Sequence, residues 1–310
     1  MSNIAEQILG SAFNGIQVVN VENSDAVATL LDKFNLRWSV SKQALMLPTG
    51  EDTGFFGIVR DDTKKTFATC KDGYVPYQNS ELAELLIRIS EKTGYGIHSG
   101  GEFNGGGKVY LQLNTGNEIK GLGKNGTTVK GFVTGINGHD GTTSLKWGAV
   151  NFTVCCRNTF AMAQKELQQS ARHTASIYDK VEESVRQITG IADAEKTIFD
   201  QFIKLSNVPV SKEHIAQIVR NITDVDITKA ATKEQSAYSI NRSKELLTSI
   251  SAEMNQKGES LWGLFSGVTH YTSHVLSVPK RENARVESKY VGSGLTIDNK
   301  AFETILSYAR

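Results

Sequence analysis

Apolar positions in the first ninety residues fall twice at the one-face spacing of a helix. Val27, Leu30, Leu31 and Phe34 follow Ser24, a good capping residue, and Leu82, Leu85, Leu86 and Ile89 follow Ser80. Between them the period drops to two. Residues 54–60 and 65–70 alternate around Asp61-Asp62-Thr63, which is the pattern of a hairpin. Alternation returns at 108–114, 128–137, 144–147 and 149–157, with strong turn signals at Asn137-Gly138 and Asp140-Gly141. After Thr159 the helical period takes over, with helices expected within 160–189, 194–205, 211–221, 233–256, 259–276 and 299–308. Strands gathered ahead of a run of helices predict an α+β fold, not a parallel α/β sheet. The expectation is an antiparallel β-sheet core running into a long helix, followed by a mostly helical C-terminal half. The division falls at 190, with an α+β core over 1–190 and a helical region over 191–310 packed on it.

Composition refines this picture only a little. A chain of 310 residues can bury a sizeable core, and its net charge of +1 gives no global field toward nucleic acid or membrane. A charged partner must therefore meet a local patch. No apolar run is long enough to cross a bilayer, and the first residues lack the basic and apolar regions of a signal peptide. The odd count of 3 cysteines fits a reducing compartment. Cys155 and Cys156 sit side by side with no CxxC spacing, and are read as buried thiols. No repeat and no low-complexity tract interrupts the chain.

One junction concentrates chemistry. In "NFTVCCRNTFAMAQKEL", residues 151–167, Phe152, Val154 and Cys156 point to one side of a strand and Arg157 to the other. Asn158 or Thr159 then caps a helix presenting Phe160, Ala163, Leu167 and Ala171 to the core. A helix N-terminus offers free N–H groups to an anion, and Arg157 could fork onto a phosphate there. The plain alternative is an ordinary cap with Arg157 paired to a local carboxylate. Neighbouring strands add cations and aromatics. Lys108, Tyr110 and Gln112 alternate with Val109, Leu111 and Leu113. Lys130 and Phe132 share a face opposite Val129 and Val133, and Lys146 lies between Leu145 and Trp147. Lysines that track phosphates beside aromatics that stack on bases are how single strands are held without sequence readout. The same pattern also suits solvated lysines over a second core.

Other motifs fail their context. Gly121-Leu-Gly123-Lys-Asn-Gly126 matches GxGxxG by letters but leads into a strand, and "FNGGGKVY" lacks the P-loop spacing. His270 and His274 stand four apart with no HExxH glutamate, so packing or hydrogen bonding is the favoured reading. His139-Asp140 sits at a turn, and Asp140-Gly141 is explained by turn chemistry. Arg172-His173-Thr174 adds a cation and a titratable ring.

Several stretches together carry a resemblance: "IVRDDT" at 58–63, "YVPYQN" at 74–79, "GGKVYLQL" at 106–113, "HDGTTS" at 139–144, "VCCRNTFAMA" at 154–163, "RHT" at 172–174 and "SLWGLFSGVTHYTSH" at 260–274. With Trp38 and the terminal "GSG" and "NKAFETIL", the chain resembles the phage/plasmid-like protein family, known as domain of unknown function 932. It departs from that family at Ser266-Gly267, which stand for Asn-Ala, at His270 for Glu and at Ser273 for Asp. The family implies a mobile element and hence a bacterial cytoplasm. Antiparallel strands feeding a helix, with a basic sheet surface, are also similar to single-strand annealing recombinases. That likeness implies a ring- or filament-forming homo-oligomer that binds single-stranded DNA and anneals complementary strands without ATP. Arg157, Asn158 and Thr159 would hold phosphate, and Lys108, Lys130 and Lys146 would line the path. Tyr110 or Phe132 would stack bases, and Lys165 and Arg172 would extend the groove. No catalytic residue, metal, nucleotide or other cofactor, and no membrane, is expected. The rivals are a metal-dependent enzyme acting on nucleic acid through His139, Asp140, His173, His270 or His274, and a host-interaction factor that binds no DNA.

Overall fold

The computed structural model describes residues 23–153, 159–160, 168–186, 190–228, 236–281 and 283–310. Antiparallel sheets occupy the N-terminal half and helices most of the C-terminal half, as the α+β pattern predicts. The described residues divide into two compact units. One is drawn from the segments up to Gly116, Phe132–Ala149 and Lys165–Ile191. The other is drawn from Asn117–Gly131, Val150–Gln164 and Ala192–Arg310. The chain passes for the last time from the first unit to the second at Ile191–Ala192. The two earlier excursions were not legible as a boundary.

The first unit opens with helix α1 (Asn23–Lys33), then the three-stranded sheet β1 (Val40–Met46), β2 (Asp52–Arg60) and β3 (Thr66–Cys70). Both pairings are antiparallel, with Ser41 opposite Val59 and Gly57 opposite Thr69. Helix α2 (Asn79–Thr93) starts from a capping box. The Gln78 side chain accepts from the backbone of Glu81, and Glu81 reaches back to the Gln78 N–H at 2.5 Å. Gly94, at φ +75°, closes the helix in the left-handed conformation that a β-carbon disfavours. The apolar face of α2, Leu82, Leu85, Leu86 and Ile89, is buried.

A second sheet follows. Its order is β4 (Gly96–Phe103), β5 (Lys108–Leu122), β6 (Thr127–Gly138), β7 (Leu145–Thr153) and β8 (Thr159–Phe160), with β9 (Gln168–Ala171) also paired to β7. In the first unit β4 pairs antiparallel to β5, Gly100 opposite Leu111, and β9 pairs antiparallel to β7, Trp147 opposite Gln169. Helix α3 (Ile177–Arg186) lies against α2, where Arg88 forks onto Glu182 at 2.5 and 2.9 Å and Lys92 donates to the Val185 carbonyl. Leu30, Leu36, Leu82, Leu86, Val109, Leu111, Val133, Trp147 and Ile177 belong to one continuous core.

Two expectations at the 151–171 junction change. Thr159 and Phe160 extend as β8, opposite Phe152 and Asn151, so no helix starts at Thr159. Ala171 sits in β9, and the helix described inside 160–189 is Ile177–Arg186; residues 161–167 lie outside the described residues. Pairing with β7 satisfies the backbone groups that a helix would otherwise have used, and such tertiary pairing overrides a cap pattern read locally.

The second unit holds α4 (Gly190–Asn207), α5 (Lys212–Thr223), α6 (Ala237–Lys257), α7 (Leu261–His270), a single π-turn (Tyr271–Val275), α8 (Ala284–Val291) and α9 (Ser293–Ser307). Phe202 is central to its core, with ring centres 5.1 Å from Trp262 and 6.0 Å from Phe302. Lys289, Asp298 and Thr272 form a buried polar knot. Lys289 pairs with Asp298, and Thr272 donates to the same carboxylate at 2.7 Å. Burial pushes the Lys289 ammonium down and the Asp298 carboxyl up.

Candidate functional site

Most of the motif stretches quoted above for the first unit converge on one buried polar cluster. The β6–β7 turn is pinned first through its backbone, where His139 and Asp140 N–H groups both donate to the Gly107 carbonyl, at 2.8 and 3.1 Å. His139 is fully buried, and its Nε2 lies 2.9 Å from Asn79 Oδ1. Asn79 Nδ2 donates to the carbonyls of Leu36 and Trp38, so the amide orientation is fixed and Oδ1 faces the ring. The proton therefore sits on Nε2. Nδ1 keeps its lone pair, buried and without a hydrogen-bond partner among the described residues. Trp38 and Phe67 pack around the ring at 5.2 and 6.1 Å. Burial, helped by the charge of nearby groups, pushes the His139 pKa down to about 3.

A second pair repeats the device. His173 Nε2 lies 2.8 Å from Asn137 Oδ1, and Asn137 Nδ2 donates to the Tyr77 carbonyl at 2.6 Å. Tyr74 stacks on the imidazole at 5.1 Å, and burial pushes the His173 pKa down to about 4. In each pair an asparagine amide ties a neutral imidazole to backbone carbonyls of another segment. Both rings are thereby set as hydrogen-bond donors at Nε2.

Two ion pairs flank the cluster. Lys108 meets Asp140 at 2.6 Å, and Asp140 also accepts from Thr142 N and Oγ1. Burial pushes the Asp140 carboxyl up, but the Lys108 ammonium and the Thr142 donors outweigh it and hold the group below the usual range. Arg60 lies flat on Trp38, 4.1 Å from the ring, and bridges Glu102 and Asp62. Trp38 Nε1 donates to the same Glu102. The "FNGGGK" loop turns its carbonyls, not its N–H groups, to charge. The Asn104 carbonyl accepts from Lys65 at 3.1 Å. A loop facing cations in this way is the reverse of a phosphate cradle.

These placements revise the expected DNA path. Lys108, Tyr110 and Phe132 are 7%, 9% and 4% exposed, so none of them lies on an open sheet face. Tyr110 stacks on Phe103 at 5.0 Å, Phe132 packs tilted against His98 at 4.7 Å, and Gln112 between them bonds Ser99 and Thr134. Alternation along β5 thus separates an apolar buried face from a polar buried face. Lys130 and Lys146 are half-buried, and Arg172 is exposed. Arg157, Asn158 and Lys165 lie outside the described residues. Thr159 contributes a strand backbone.

Positive charge gathers instead on the second unit, along the β5–β6 hairpin, where Lys120 and Lys124 are exposed and Lys130 is half-buried. Residues 117–131 carry Lys120, Lys124 and Lys130 against the single acid Glu118. Lys120 pairs with Glu118 at 2.6 Å, and Lys120 together with the Lys130 charge holds that carboxyl below its usual range. The turn itself is the GxGxxG stretch. Gly123 has φ +66°, and a β-carbon there would lie 2.4 Å from the Lys257 carbonyl. Lys124 N–H donates to that same carbonyl at 2.8 Å. Only glycine allows this approach, so the spacing builds a docked hairpin and not a dinucleotide loop. The hairpin end, the α4–α5 turn at Ser206, Asn207 and Pro209, and the α6–α7 turn at Gly258 and Ser260 enclose a polar cleft of about 400 Å³. Lys257, buried on its floor, is neutralised by Glu253 at 2.8 Å.

The sequence alone led to His139 and His173 being treated separately, to Asn137 being read only as a turn residue with Gly138, and to Asn79 being given no role. The signal that could have joined them is their place inside "YVPYQN", "NGHDG" and "RHT", three polar stretches in otherwise apolar surroundings. Among the described residues no three His, Cys, Asp or Glu side chains converge as a metal site. No described helix is long and apolar enough to cross a membrane.

Fold and cluster together define an α+β protein whose central sheet is locked by paired asparagine–histidine contacts. The chain belongs to the family described as a domain of unknown function (DUF932), whose model matches residues 66–290. No curated protein and no solved structure matches it. The matched span includes both asparagine–histidine pairs, the basic hairpin and the α6–α7 turn.

Proposed function

We propose that the protein binds single-stranded DNA through its phosphate backbone and anneals complementary strands without ATP. It would do so as a homo-oligomeric ring or filament, serving a phage or other mobile element in a bacterial cytoplasm. The observation that carries the reading is the β5–β6 hairpin end. Lys120 and Lys124 are exposed there and Lys130 half-buried, against Glu118 on the hairpin and Glu259 in the lining of the neighbouring polar cleft, in a chain whose net charge is only +1. A basic ribbon with exposed lysines attracts a polyanion electrostatically and needs no base readout. Arg172, exposed on the first unit, remains a candidate contact; Lys108, Tyr110 and Phe132 do not.

The test is a titration of labelled oligothymidine by fluorescence anisotropy across a salt series. Each phosphate contact on a single strand contributes about 0.7 to the slope of log affinity against log salt, so replacing Lys120, Lys124 and Lys130 together by Ala should lower that slope by roughly 2. Annealing of complementary fluorescent strands should persist in EDTA and without nucleotide. Unchanged affinity and slope in the triple variant, or no binding to any oligonucleotide at low salt, overturns the proposal. Strand cleavage that stops on chelation would favour the enzymatic reading instead.

A further inference from the structure

A pair of histidines in the second unit remains outside this reading. His270 is the last residue of α7 and His274 lies in the π-turn that follows. That turn closes through Leu276 N–H to the Tyr271 carbonyl at 2.7 Å, an i→i+5 bond. The two rings lie close but tilted, with centres 4.9 Å apart and planes inclined at 46°.

We infer that His270 and His274 form a two-imidazole clip for a divalent transition-metal ion of the zinc, cobalt and nickel class. Three observations carry it. The first is distance. Two imidazoles on one tetrahedral ion, each with a metal–nitrogen bond of about 2.1 Å, hold their ring centres roughly 5 Å apart. The second is an unanswered polar atom. His270 Nδ1 is buried and has no hydrogen-bond partner among the described residues. A buried ring nitrogen left this way is costly, and a bound cation answers it. The third is access, because His274 is exposed and its side of the clip opens to solvent. Water can reach the remaining positions from the exposed His274 side. Imidazole nitrogen selects borderline transition metals over magnesium or calcium, which prefer oxygen.

The experiment uses the full chain, stripped with chelator and dialysed. Cobalt(II) is titrated and followed by its visible ligand-field bands, and zinc by competition with a chromophoric chelator. The expected result is saturation at one ion per chain. His274→Ala should weaken binding roughly tenfold or more, and His270→Gln should do the same, because even ligand-supporting residues carry effects of that size. His274 is exposed, so its replacement leaves the fold intact, which circular dichroism and the melting temperature check. Should His270→Gln unfold, His274→Ala alone decides. The inference is overturned if no ion saturates the wild-type chain. It is equally overturned if a folded His274→Ala protein binds cobalt and zinc as the wild type does. The readout is metal binding alone, so it stands or falls independently of DNA binding.

Discussion

Replacing Asn79 by alanine tests the locking role of the buried cluster. The side chain, only 2% exposed, donates to the carbonyls of Leu36 and Trp38 and accepts from His139 Nε2. Truncation strands all three groups at once. A buried group left unsatisfied costs about 1–3 kcal/mol; with water entering the vacated space, the low part of the summed range applies, about 3–5 kcal/mol. In a unit of this size, each kcal/mol moves the melting temperature by about 2–4 °C, so the transition should fall by about 6–20 °C. Asn79→Asp retains shape and one acceptor but loses both donors, and should be no better. Calorimetry gives the transition directly. Near-ultraviolet dichroism should change too, because Trp38 packs on the freed imidazole. A melting temperature within about 2 °C of wild type would refute the accounting, since it would mean the three bonds contribute nothing net.

Two further outcomes follow from the same cluster. His139 and His173 have pKa values lowered to about 3 and about 4 from an ordinary 6.5. The unfolded chain therefore binds more protons than the folded one between those values, and stability rises with pH. The contribution is complete above about pH 6.5 and is lost progressively as pH falls from there through the folded values of about 4 and about 3. Urea midpoints at pH 7, 5.5 and 4.5 should decline in that order, and His139→Gln should flatten the decline. A pH-independent midpoint in wild type would contradict the placement of both rings. Lys108→Ala leaves the Asp140 carboxylate buried beside only the Thr142 donors, and should cost about 3–5 kcal/mol in urea unfolding. The double change with Asp140→Asn should recover part of that loss.

Local pattern made the hairpin at 54–70, the helix after Gln78 and the long strands legible, because each is specified by its own spacing. Strand β4 was not legible. Its Gly96, Gly100 and Gly101 give no apolar period, yet a β-carbon at Gly100 would lie 2.5 Å from Leu111 and 2.7 Å from Phe34. There glycine marks close packing, not a loop. Alternation along β5 revealed two different faces but not that both are covered, so Lys108 and Tyr110 looked like surface groups. The asparagine–histidine pairs were invisible for another reason. Asn79 and His139 stand 60 residues apart, and Asn137 and His173 stand 36 apart, so no local spacing encodes either contact. The basic hairpin was half legible. Lys130 was singled out, while Lys120 and Lys124 were passed over because GxGxxG drew attention to its glycines.

The first unit is assembled from separated stretches of chain, and this orders its birth on the ribosome. Arg88 waits for Glu182, and Lys92 for Val185, 94 and 93 residues downstream. With its first stretch ending at Gly116, the unit cannot close until synthesis has passed Arg186. At elongation rates of about 5–20 residues per second, those seventy residues take roughly 4–14 s. Throughout that interval Leu82, Leu85, Leu86 and Ile89 have emerged without the strands and helix that will cover them. A nascent chain of this design offers holding chaperones a defined apolar ridge, and a message truncated before codon 186 encodes a first unit unable to close over it.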